Sequence, residues 1–188
     1  MTPAEPVFLH GERIKMSPLG PSDISESYLA WLNDPDVLRY RAPKAFPTTM
    51  PQLESWVRAL PDRGDLVLSI RTNDENRHVG NISLNSILWV HRTAELAIMI
   101  GAKDVWGQGY GTEAIRLITA HAFTAMGLHR LWAESPNPAF NAAMQKLGWN
   151  HEGSKREAFL VDGAHVDFEC WRLLEQEWWS KSGAQSRS

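Results

Sequence analysis

The chain has 188 residues, 43% of them hydrophobic and 22% charged, with a formal net charge of −3. That length fits one domain able to bury roughly 70% of the surface its unfolded form exposes, and no apolar run approaches the about 20 residues of a membrane span. Basic residues are scattered on a mildly acidic chain, which argues against a nucleic-acid platform. The single cysteine, Cys170, excludes an internal disulfide and fits a reducing cytoplasm. Met1 is followed by neither a basic start nor an apolar segment, so export is not signalled. The histidines lack ligand spacing, so no metal is expected.

Glu12 to Leu19 reads as a first strand, stopped by Gly20 and Pro21. Ser22 or Asp23 can cap a helix running through Trp31, with Tyr28, Leu29 and Leu32 as its apolar face, before Asn33, Asp34 and Pro35 end it. Residues 36–48 read as short helix or loop. Thr49-Met50-Pro51-Gln52 has the form of a capping box, so a further helix should run to about Leu60. Leu66, Leu68 and Ile70 then alternate with Val67, Ser69 and Arg71. A polar turn at 73–76 leads to a second strand, in which Ile82 and Leu84 alternate with Asn81, Ser83 and Asn85, as in a sheet with one wetter face.

Ala94 to Gly101 carries apolar side chains on both alternating sets, the pattern of a strand covered on both faces and therefore central in its sheet. Gly107, Gly109 and Gly111 follow, and their freedom to take positive φ lets successive amides turn inward as a nest for an anion. From Thr112 to Met126 a helix is expected, with Ile115, Ile118, Ala122 and Met126 on one face, Glu113 pairing with Arg116, and Gly127 as its stop. Its first-turn amides and positive end point at the same nest, which suits a pyrophosphate.

Arg130 to Glu134 reads as a short strand, Phe140 to Leu147 as a short helix and His151 to Val161 as a strand. Asp162-Gly163 signals a type I′ hairpin into Ala164 to Leu173. Trp178 and Trp179 precede a Ser-, Gly- and Gln-rich tail over 181–188 that should be disordered, leaving one domain over 1–180. The outcome is a mixed α/β fold: a central, mostly antiparallel sheet of six to seven strands with helices on both faces.

The glycine loop is open to several readings. A purely steric turn is one. No Gly-Lys-Ser/Thr follows, which excludes a Walker loop. Gly109-Tyr110-Gly111-Thr112-Glu113-Ala114 fits a dinucleotide fingerprint, but that motif needs the strand to run straight into its first glycine, and here five residues separate Gly101 from Gly107.

Trp106-Gly-Gln-Gly-Tyr-Gly111-Thr-Glu-Ala, together with Leu128-His-Arg-Leu, Asn137-Pro-Ala-Phe, Lys146-Leu-Gly-Trp149 and Glu152-Gly, resembles the GNAT superfamily of acetyl-CoA-dependent N-acetyltransferases, in the branch with the ribosomal-protein N-terminal acetyltransferases. The resemblance implies a GNAT-like fold and acetyl-CoA as co-substrate. Coenzyme contacts are implied at Met99, Ile100, Trp106, Gly107, Gln108, Gly109, Tyr110, Gly111 and Thr112, with Asn137 and Asn141 beyond. It implies an amine acceptor, either a peptide or protein N-terminus or a small molecule, in contact with Trp31, Tyr40 and Arg41. Whether the chain works as a monomer or a homodimer stays open.

Acetyl transfer to an amine needs a base for the ammonium proton. Glu95, at the start of the central strand, and Glu134, at the end of the next, are the catalytic candidates, with His91 read as a turn residue. Many relatives place a tyrosine in the short helix to protonate the leaving thiolate. Met144 stands there instead and Phe140 replaces the branch's serine, which keeps a non-catalytic acyl-CoA binder as the alternative.

Overall fold

The computed structural model describes residues 6–41 and 45–182. Residues 42–44 of the 36–48 segment, the first five residues and the tail from 183 lie outside the described residues.

Strand β2 (Ile14–Pro18) hydrogen-bonds on one side to the short β1 (Leu9–His10) and on the other to β3 (Leu66–Thr72), from which β4 (His78–Leu88) and β5 (Thr93–Ile100) continue an antiparallel meander. Helix α4 (Tyr110–Thr124) then crosses over to β6 (Arg130–Ser135), which lies parallel to β5. Beyond α5 (Pro138–Lys146), the hairpin of β7 (Asn150–Val161) and β8 (Ala164–Leu174) completes an eight-stranded sheet of order β1-β2-β3-β4-β5-β6-β8-β7. The expected six to seven strands become eight because β1 has only two residues, too few to carry an alternating pattern. Asp162 and Gly163 both take positive φ, 49° and 83°, as a type I′ turn demands.

Three short helices, α1 (Glu26–Trp31), α2 (Pro35–Leu38) and α3 (Met50–Ala59), precede β3. The N-cap of α1 is Ser25, whose side chain accepts from the Tyr28 amide at 3.1 Å, and not Ser22 or Asp23. Those two residues form a preceding 3-10 turn, in which the Asp23 carboxylate accepts from the Gly20 amide and pairs with Arg71. The capping box of α3 forms as expected, the Thr49 amide donating to Gln52 Oε1 at 2.8 Å. A terminal helix α6 (Glu175–Ser182), not expected from sequence, takes up the first residues of the supposed tail, and its Trp178 ring packs beside Phe123.

The sheet separates two apolar layers. On one side Leu84, Leu96, Leu131 and Leu173 meet Ile115, Ile118, Ala122 and Phe123 of α4. Full burial of Ile115, Ile118 or Phe123 stabilises the fold by about 1.5–3 kcal/mol each. On the other side Met99 joins Leu19, Tyr28, Leu53, Val57 and Leu60 beneath α1 and α3. No helix among the described residues is long and apolar enough to cross a membrane.

The expected Glu113–Arg116 pair does not form. Glu113 lies on the buried side of α4 and Arg116 on the exposed side, so Glu113 instead accepts from the backbone N–H and the Nε of Arg13, at 3.1 and 2.9 Å. Gly80 on β4 faces the backbone of β5 so closely that an added Cβ would lie 2.2 Å from Met99 O. Gly80→Ala is therefore expected to destabilise the protein by about 1–3 kcal/mol, read from urea unfolding followed by tryptophan fluorescence. Gly111→Ala, whose Cβ would meet nothing closer than 3.6 Å, should leave the midpoint unchanged or slightly raised.

Candidate active site

Strands β5 and β6 pair at Thr93, Ala94 and Glu95 opposite Arg130, Leu131 and Trp132, and no further. Both continue, β5 to Ile100 and β6 to Ser135, so a wedge opens between them. The register against β4 decides which groups face it. Gly101 N–H donates to Val79 O at 2.9 Å, and an antiparallel ladder alternates, so the amides of Met99 and Ala97 turn toward β4 while those of Ile98 and Ile100 turn into the wedge. The carbonyls of the same two residues bond outside the ladder: Ile98 O accepts from Arg41 Nη1 at 3.2 Å, and Ile100 O from Trp106 Nε1 at 2.9 Å. Of the two strand residues expected to offer an amide, Ile100 faces the wedge and Met99 does not. Ile98 was missed because residue type does not tell on which side of the strand each neighbour lies, and so which alternate amides are already used.

The glycine loop closes the end of the wedge. Gly107 and Gly109 take φ of 73° and 84°, and Gly109 caps α4. The amides of Gly107, Gly109, Tyr110, Gly111 and Thr112 have no acceptor among the described residues, while Gln108 N–H is used by Val105 O. The Gln108 side chain also folds back, donating to Asp104 O at 2.8 Å. A ring of free amides at a helix N-terminus fits a phosphate group, and Gly111 seats it beside the strand, its missing Cβ 3.6 Å from Ile100 Cγ1. Arg13 holds the loop from outside: its Nη1 donates to Gln108 O and its guanidinium lies 5.5 Å from the Tyr110 ring centre. Burial would raise the Glu113 carboxyl, but the bonds from Arg13 outweigh it and hold the group below its ordinary range.

On the opposite sheet face, a cavity of about 760 Å³ lies between α1–α3 and strands β4 and β5. Tyr28, Leu53 and Trp56 line its helical wall, and Ser83, Asn85, Glu95, Ala97 and Met99 its floor. Glu95 has no hydrogen-bond or ion-pair partner among the described residues; partial burial, then the nearby Glu134 charge, push its pKa above the ordinary carboxylate value. The cavity's other carboxylate, Asp65, is occupied by Arg63 at 3.2 Å and the Ser86 amide at 3.1 Å.

The second base candidate is placed differently. Glu134 lines a separate hollow of about 350 Å³ with Cys170, and both its oxygens accept from Lys155 Nζ, at 2.6 and 2.5 Å. Burial, then Glu134, raise the Cys170 thiol, which disfavours its thiolate. His91 is an exposed turn residue. Of the three expected acceptor contacts, Arg41 lines the large cavity, but Trp31 packs against Tyr28, His78 and Gly101, and Tyr40 lies under Arg39. Asn137 caps α5 through the Ala139 amide, and Asn141 bridges Ser135 O and the Trp171 indole. Met144 is fully buried in the core.

Comparison with known proteins identifies the family and the fold. The family model described as "Acetyltransferase (GNAT) domain" matches residues 13–150. The Bacillus subtilis protein described as "Putative ribosomal N-acetyltransferase YdaF" is 35% identical over 101 residues, covering 53% of this chain and 55% of YdaF, so the chain matches about half the length of that relative. YoaA of the same organism, described as an uncharacterized N-acetyltransferase, is 22% identical over 173 residues, covering 89% of this chain and 97% of its own length. The crystal structure of Vibrio cholerae spermidine N-acetyltransferase in complex with CoA and spermine shares the fold, with a TM-score of 0.78 at 20% identity over 88% of this chain and 97% of that one. A family match spanning most of the chain establishes that the chain, whose sheet splays beside a ring of free amides, belongs to the GNAT acetyltransferase family.

Proposed function

We propose that the protein transfers an acetyl group from acetyl-CoA directly to a primary amine bound at the same time. What carries the reading is the wedge itself: free amides at Ile98 and Ile100 lie between the phosphate-sized nest at the start of α4 and the strand face that floors the large cavity. The nest amides of Gly107 and Gly109 to Thr112 hold the pyrophosphate, and the wedge takes the pantetheine arm and its thioester. There the strand amides stabilise negative charge on the carbonyl oxygen as the amine attacks.

The amine nitrogen must enter with a free lone pair. Glu95, unpaired on the cavity floor, takes the ammonium proton, and its raised pKa brings it nearer to the ammonium's than an ordinary carboxylate would be. The nitrogen then bonds to the carbonyl carbon, the C–S bond breaks, and the electron pair leaves with sulfur. Nitrogen loses two protons in all: the first passes from Glu95 to solvent, and the second leaves the tetrahedral adduct for the departing thiolate or solvent. Acceptors compatible with the cavity are a peptide or protein N-terminus and a small-molecule amine. The buried Met144, which offers no proton to sulfur, is the one feature favouring a non-catalytic acyl-CoA binder; thiol release with any amine would remove that reading.

Gly109→Glu forces a side chain onto a positive-φ position with its Cβ 3.1 Å from Arg13 Nη2, which disturbs the loop that orients the nest amides, and should weaken CoA binding by calorimetry at least about 100-fold, with the cooperative unfolding transition retained. Unchanged affinity would place the pyrophosphate elsewhere. For Glu95 the charged form is the active one, so kcat/KM should fall as pH drops through its raised pKa. Glu95→Gln should lower kcat/KM by about 100- to 10,000-fold at neutral pH and less at alkaline pH, where the acceptor is already deprotonated. An unaltered pH–rate profile in the variant would reject Glu95 as the base.

A further inference from the structure

The large cavity holds a second group whose charge is unbalanced. Arg41 lines it with Tyr28, Glu95 and Ile98, and its guanidinium has no carboxylate partner among the described residues. Its Nη1 donates to Ile98 O at 3.2 Å. A desolvated cation is unfavourable unless paired, and burial lowers the basicity of this one accordingly. The remaining N–H donors of a planar guanidinium match a carboxylate or carbonyl oxygen.

The position matters as much as the charge. Arg41 is anchored on the carbonyl of Ile98, the residue whose amide opens on the wedge where acyl transfer is placed. A nitrogen attacking there carries an oxygen three bonds away, as in N–Cα–C=O, toward Arg41, while Glu95 serves the ammonium. An alkylamine brings no such oxygen, and a polyamine would bring further positive charge beside an unpaired guanidinium.

We propose that Arg41 is a specificity-determining residue that binds an oxygen on the carbon next to the amine-bearing carbon, so that the acceptors are α-amino acyl compounds, amino acids or peptide N-termini, and not alkylamines. The inference rests on the large cavity being the acceptor site. Ile98 O supplies the fixed end of the arrangement, which holds the guanidinium in one orientation before the acceptor arrives.

The test is thiol release from acetyl-CoA with alanine, alaninamide, an alanyl tripeptide, ethylamine and spermidine. Turnover of the alanyl compounds should exceed that of both alkylamines by at least about 10-fold in kcat/KM. The split between alanine and its amide or peptide identifies carboxylate or peptide carbonyl as the natural partner. Arg41→Gln should lower kcat/KM for the alanyl compounds by about 10- to 100-fold, chiefly through KM. The ethylamine rate should fall less than the alanyl rates, the part of the loss common to both reporting the missing bond to Ile98 O, and Arg41→Lys should recover part of the loss. Preference for spermidine or ethylamine overturns the proposal, and so does an Arg41→Gln defect of equal size on every acceptor, which would assign the guanidinium to the acyl group. No release with any amine, or an Arg41→Gln variant that loses CoA, would instead bring down the acceptor-site reading beneath it. A thermal unfolding midpoint for each variant separates loss of the contact from loss of the fold.

Discussion

The structure depends on a parallel strand pair that stops pairing. β5 and β6 share a register only through Glu95 and Trp132, and from there the central strand runs on with one edge unpartnered. A buried amide or carbonyl left without a partner costs about 1–3 kcal/mol, so a splayed strand in the middle of a sheet is sustained only where other groups take up its polar atoms. Here Arg41 and the Trp106 indole take the two carbonyls. The two amides have no acceptor among the described residues. The rest of the fold keeps the strands apart: α4 fills the space beneath β5 on one face, and α1 and α3 cover Met99 on the other.

Charge is arranged around that wedge by burial as much as by pairing. At the nest end Arg13 is fixed by Glu113, a carboxylate only 5% exposed, and so places a cation against a loop whose amides already favour an anion. At the cavity end the order is reversed. Glu95 and Arg41 are partly buried and unpaired with each other or with any opposite charge among the described residues, whereas Asp65 and Glu134 are neutralised by Arg63 and Lys155. Groups already satisfied by the fold have little to offer a substrate; the two left over are the ones that can respond to it.

Most of the architecture is legible from local pattern. The two-sided apolar run of residues 94–100, the capping box at Thr49 and Gln52, the Asp162-Gly163 turn and the amphipathic stripe of α4 each record a constraint acting within a few residues, and each forms, α4 two residues earlier at both ends than the pattern suggests. The elements that were missed or shifted are those held by distant partners. β1 exists because Leu9 and His10 meet Met16 and Lys15, and α6 because Trp178 finds Phe123. Asp23 has the right side chain to cap a helix, but it turns to the Gly20 amide and to Arg71 across the sheet.

The candidate site divides along the same line. Sequence alone determined that a central strand runs into a glycine loop and a helix, because positive φ, free first-turn amides and apolar periodicity are local properties written in residue type. Only the tertiary structure decided that Ile98 and not Met99 shares the wedge with Ile100, that Glu95 stands free while Glu134 is held by Lys155, and that Arg41 reaches the cavity while Trp31 and Tyr40 do not. Ladder parity, ion pairing across strands and the burial of a side chain all depend on residues tens of positions away. They come into being only when the sheet has assembled in one register.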